Sequence, residues 1–117
     1  MKFKFIIADF GNLKSITEYR TLLEPNTKDL DIGVVICNAG ISQNPGFLHW
    51  SEDKTFENEI NVNTLHATYV AKVMGDQLLK RSRRSALIVT ASIAECYPLA
   101  CYTLIYCCTK KFASWLA

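Results

Sequence analysis

The 117-residue sequence lacks the marks of several protein classes. No stretch approaches the roughly 18 consecutive apolar residues of a spanning helix, and the short apolar run at the N-terminus is cut off by Asp9. Neither a secretory nor a transmembrane segment is therefore expected in the sequence as it stands. The formal net charge is only +2, too little to argue for a nucleic-acid partner. The one dense basic run, Lys80-Arg81-Ser82-Arg83-Arg84, lies between apolar segments and reads as a solvated helix end, where cations complement the macrodipole. Cys37, Cys96, Cys101, Cys107 and Cys108 show neither the paired spacing of a zinc site nor the density of a secreted scaffold. No metal is expected, and the thiols read as reduced and mostly buried, which fits a reducing compartment. Repeats and low-complexity tracts are absent as well. What remains is a composition of 50% hydrophobic and 21% charged residues, that of a globular chain with room for one domain, residues 1–117.

Hydrophobic patterning orders that domain. Phe3 to Ala8 is apolar and partly β-branched, a strand by pattern, and a helical spacing follows between Asn12 and Leu23. Pro25-Asn26-Thr27-Lys28 breaks that helix. Ile32 to Cys37 is a continuous apolar run between turn residues, the pattern of a parallel strand covered on both faces. A loop with Pro45 and Gly46 leads to the longest helix, Thr55 to about Leu79, with Ser51 or Asp53 as its cap. Ala86 to Thr90 is a third buried strand, and a closing helix spans Tyr102 to Ala117. The order β-α-β-α-β-α predicts the α/β class, with parallel strands joined by right-handed crossovers.

In such sheets a ligand sits beyond the carboxyl ends of the strands. Asp9, Asn38-Ala39-Gly40 and Ser92 occupy those positions. Gly40 lets a backbone approach a ligand, and the Asn38 side chain can satisfy strand-end backbone groups, although an ordinary strand-ending turn accounts for the triplet equally well. Tyr106 and Lys110 stand four apart on the last helix and share a face. A nearby ammonium favours the phenolate, which equips the tyrosine for proton exchange; the bland alternative is a surface lysine beside an aromatic. Asn63 interrupts the apolar stripe of the long helix, so something polar must meet its amide: a helix–helix hydrogen bond, a structural water or a functional partner.

Taken in order, the acidic residue, Asn38-Ala39-Gly40, Val62-Asn63, Ser92 and Tyr106-x-x-x-Lys110 resemble the short-chain dehydrogenase/reductase family over essentially the whole chain. Ile60-Asn61-Val62-Asn63, Leu79-Lys80-Arg81-Ser82, Tyr97-Pro98 and Thr103-Leu104-Ile105-Tyr106 look most like its branch of microsomal steroid dehydrogenases and very-long-chain 3-oxoacyl-CoA reductases. The resemblance implies a partial Rossmann-type doubly wound sheet and NADP or NAD as cofactor, NADP being favoured. It also implies a lipid-like carbonyl substrate and residence in the cytoplasm or on the cytosolic face of the endoplasmic reticulum. Tyr106 would be the general acid in reduction, and Lys110 would support it and hold the nicotinamide ribose. Ser92 would polarise the carbonyl, Asn63 would hold a relay water, Asp9 would lie near the adenine, and Asn38, Ala39 and Gly40 would line the cofactor.

The sequence departs from the family pattern in having no Gly-rich turn for the pyrophosphate. By resemblance it begins at the family's third strand and stops in the helix after the fifth, lacking the first two strands and the C-terminal ones, so the activity of this chain alone is in doubt. Cys37 stands where the family usually has a second Asn, and Cys107-Cys108 where small residues are common. The competing expectation is a non-catalytic partner that dimerises through its two long helices, as members of the family commonly do.

Overall fold

The computed structural model describes residues 3–42, 45–96 and 103–117. Its elements are helix α1 (Ile16–Thr27), strand β1 (Val34–Cys37), helix α2 (Asp53–Ile60), a π-helical segment (Asn61–Leu65), helix α3 (His66–Leu79), strand β2 (Ala86–Val89) and helix α4 (Leu104–Leu116). β1 and β2 pair in parallel, Val34 opposite Ala86 and Cys37 opposite Val89. The intervening helices form the crossover that parallel pairing requires. The fold is therefore α/β with a parallel sheet, as the alternation predicts.

Local chemistry explains where the helices begin and end. α1 starts at Ile16 rather than near Asn12, because Ser15 caps the Glu18 N–H while the Glu18 carboxylate accepts the Ser15 N–H at 2.7 Å. That bonding, the Ser15 hydroxyl first, holds the exposed Glu18 carboxyl below its ordinary range. Asn12 instead closes a turn onto Asp9. Nor does Pro25 stop the helix, which runs on to Thr27. A proline in the last turn removes one intrahelical bond, and side chains satisfy nearby carbonyls: Asn26 Nδ2 donates to Leu22 O and Thr27 Oγ1 to Leu23 O, both at 2.8 Å. The long helix begins at Asp53 with Glu52 in the cap position and no side-chain cap, so neither Ser51 nor Asp53 plays that part.

The core gathers Tyr19, Cys37, Ala67, Val70, Val73 and Met74, with Phe10, Val35, Leu87 and Val89 packed against them. It covers one face of the sheet only. On the other, Val34 and Ile36 are 55% and 60% exposed. The expectation of cover on both faces fails because an apolar side chain shows what can be buried, not what lies opposite. Residues 3–8 likewise form no strand. Phe3, Phe5 and Ile7 lie exposed with no ladder beside them, and a strand exists only through its neighbour.

Two readings of surface chemistry also change. Arg81 is no free cation: Nε and Nη2 donate to the Asp31 carboxylate at 2.6 and 3.1 Å, and Nη1 donates to Arg84 O. The fork ties the end of α3 to the turn before β1 and holds the Asp31 carboxyl below its usual range. Of the cysteines expected to be mostly buried, Cys37 and Cys107 are, whereas Cys96 and Cys108 are exposed and Cys101 lies outside the described residues.

Candidate active site

Parallel register brings the two strand ends out side by side. The ladder continues from Thr90 N–H to Cys37 O at 3.0 Å, and Thr90 Oγ1 then donates to Asn38 Oδ1 at 3.0 Å. Asn38-Ala39-Gly40 and Thr90-Ala91-Ser92 thus leave the sheet together.

The π segment places Asn63 against the first of these turns. One extra residue in the helical turn re-aims the side chains, a device common at functional sites. Asn63 Oδ1 accepts the Ile41 N–H at 2.8 Å, and its Nδ2 donates to Ile41 O at 2.8 Å and to Thr109 Oγ1 at 3.0 Å. Both amide protons are occupied, so the side chain offers a further ligand only acceptor capacity on Oδ1. This is the polar partner that the position of Asn63 demanded, reached through protein groups.

α4 supplies Tyr106, Thr109 and Lys110. Lys110 is 5% exposed, and its Nζ donates to Thr90 O at 3.0 Å. The same ammonium stands 5.7 Å from the centroid of the half-buried Tyr106 ring. This is not a surface lysine. Gly40 makes room for it: a Cβ there would lie 2.9 Å from Lys110 Nζ and 3.4 Å from Asn63 Oδ1. The φ of Gly40 is not positive, so close approach rather than backbone conformation calls for glycine. Ser92 caps the short 3₁₀ turn Ile93–Glu95, which packs on α4; its Oγ accepts the Ala94 N–H at 3.2 Å, leaving the hydroxyl proton to be donated elsewhere.

The structure therefore joins Asn38, Gly40, Asn63, Tyr106 and Lys110, with half-buried Ala39 between the first two and Ser92 on an adjoining turn. Asp9 stands apart. Its oxygens accept from the Gly11 N–H at 2.9 Å and Asn12 Nδ2 at 2.8 Å, and it lines a polar cleft of about 320 Å³ with Lys14, Lys54, Asn58 and Asn61. Sequence reasoning missed Thr90, Thr109 and Asn61, whose Nδ2 donates to Gly11 O at 3.4 Å. The first asparagine of Asn61-Val62-Asn63 and the polar residue directly before Lys110 were the available signals.

A parallel α/β sheet whose strand-end turns meet a half-buried Tyr106 and a buried Lys110 on one helix face defines the class, an α/β protein with a polar cluster at the carboxyl edge of its strands. The chain belongs to the short-chain dehydrogenase family, whose model matches residues 1–117. Among solved structures it is similar to the bulky-bulky ketone specific alcohol dehydrogenase of Comamonas testosteroni, with 25% identity and a TM-score of 0.75 over 93% of this chain and 41% of that one. An alcohol dehydrogenase from the archaeon Thermococcus sibiricus, complexed with 5-hydroxy-NADP, is 26% identical with a TM-score of 0.70, over 92% of this chain and 43% of that one. A short-chain dehydrogenase from Sphingobium yanoikuyae, in complex with NADPH, shares the fold at 24% identity and a TM-score of 0.77, over 95% and 41%. The chain thus spans about two fifths of the length of these relatives.

Proposed function

We propose that this chain carries the proton-handling half of an NAD(P)-dependent oxidoreductase acting on a carbonyl or alcohol, with a lipid-like substrate such as a steroid or 3-oxoacyl-CoA. The observation that carries the reading is the buried Lys110 ammonium, held on Thr90 O beside the Tyr106 ring in space that Gly40 keeps open. These residues fit a nicotinamide ribose. One of the three ammonium protons is used by Thr90, which leaves donors for ribose hydroxyls, and the absence of a Cβ at Gly40 admits a close neighbour. When bound, the cofactor supplies or accepts the hydride. Tyr106 delivers a proton to the substrate oxygen in reduction and takes it back in oxidation. The Lys110 ammonium stands beside the ring, and the Ser92 hydroxyl, whose proton has no acceptor among the described residues, is available to the same oxygen.

The test is an NADPH titration of the chain followed by ¹⁵N and ¹³C resonances, a readout that registers weak binding. Signals of Gly40, Ile41 and Lys110 should move, and Lys110→Met should abolish those shifts. Signals that stay fixed at saturating NADPH, or shifts that persist in the Lys110→Met protein, overturn the reading. A homodimer built through the long helices is the second reading, favoured by exposed Leu104, Phe112 and Trp115 at helical spacing along α4. Sedimentation of the same samples separates it from the first.

A further inference from the structure

We propose that Thr109 is a positioning residue of this site, setting the spacing between Asn63 and the turn of α4 that bears Tyr106 and Lys110. The assignment rests on the reading of that site as the proton-handling centre. Thr109 is 5% exposed and faces inward on α4. A helical threonine is ordinarily satisfied by donating to a carbonyl one turn back, and Thr109 does so, to Tyr106 O at 2.9 Å. Its hydroxyl also accepts from Asn63 Nδ2 at 3.0 Å, a bond between positions 46 residues apart in sequence. Donor and acceptor are thus both engaged.

The consequence is a continuous polar chain from the Ile41 backbone through Asn63 and Thr109 to the Tyr106 carbonyl. It crosses three elements: the turn after β1, the π segment and α4. A hydrogen bond weakens steeply outside a narrow range of distance and angle, so these bonds add a directional constraint to the packing. The tolerance here is narrow, since Lys110 Nζ would stand 2.9 Å from a Cβ on Gly40. Tyr106, Thr109 and Lys110 occupy positions i, i+3 and i+4 of one face, so a bond at Thr109 fixes the rotation of the helix that presents both neighbours.

The experiment compares the chain with Thr109→Val, which keeps the shape and removes the hydroxyl, and Thr109→Ser, which keeps the hydroxyl. Three signals are read by NMR without cofactor: the Asn63 side-chain amide, the exchange rate of the Ile41 amide, and the side-chain carbons of Tyr106 and Lys110. Thr109→Val should displace the Asn63 amide, speed Ile41 exchange about tenfold and move the Tyr106 and Lys110 signals, and Thr109→Ser should restore all three. Tyr106 and Lys110 signals unmoved in the Val protein, or not restored in the Ser protein, overturn the proposal. Should the Val protein fail to fold, the unaltered chain decides: a slowly exchanging Thr109 hydroxyl proton close in space to the Asn63 amide protons is expected, and its absence overturns the assignment. No step requires NADPH, so a failed NADPH titration leaves this result standing, and the converse holds.

Discussion

His66 makes the stability of this chain sensitive to mild acid. The imidazole opens α3 at the end of the π segment and is 5% exposed, with its ring centre 3.9 Å from that of Phe10 and its Nδ1 buried without a hydrogen-bond partner among the described residues. Desolvation pushes its pKa down from 6.5 to about 4. In the folded chain the ring is therefore neutral over a range in which the unfolded chain takes up a proton. The associated stability is fully present above pH 6.5 and is lost as the pH falls through about 4. At about 1.4 kcal/mol per unit, the loss comes to about 2 kcal/mol by pH 5 and about 3 kcal/mol by pH 4. Urea unfolding followed by circular dichroism should show this slope in the native chain and not in His66→Leu. Glu18 and Asp31, whose carboxyls titrate below their usual range, are common to both proteins and cancel in the difference. Parallel stability curves for the two proteins between pH 7 and 4.5 would refute the reasoning.

Asn63→Ala removes three hydrogen bonds and strands the Ile41 backbone, so it should cost about 3 kcal/mol in chemical denaturation; a loss under about 1 kcal/mol would show that the clamp is not holding. Gly40→Ala should force Lys110 off the Thr90 carbonyl, destabilising the chain by about 1–3 kcal/mol and raising the reactivity of that one lysine toward acylating reagents, whereas unchanged reactivity would mean that the space is not tight.

The parts of this molecule readable from sequence are those written in side-chain periodicity and order. The two observed strands, the long helical stripe and the Tyr106–Lys110 face were legible because each follows from spacing alone. The π segment was not, since the residue types of Asn61–Leu65 carry no mark of a widened turn, and the face it buries, Val62 and Asn63, is set by the turn itself. Residues 3–8 misled because apolar, β-branched character describes a candidate strand and ladder partners make one. α1 was misplaced in two ways. Ser15-x-x-Glu18 is the signal that marks its start, and Pro25 has less breaking power in a last turn than in a helix interior. Within the site, the strand-end positions pointed to Asn38, Gly40 and Ser92, but Thr109 stayed hidden as one of the unspecified residues between Tyr106 and Lys110, its value visible only once Asn63 is placed opposite it.

The half-dressed sheet has a consequence for how the polypeptide fares among other macromolecules. Val34, Ile36 and Ile88 present a greasy flank, and the edge of β1 away from β2 has no neighbouring strand among the described residues. A sticky flank beside open amide groups is a template for aggregation and a docking signal for holdase chaperones. The lifetime of this chain in a crowded solution is therefore governed by what shields that flank as much as by the strength of its core.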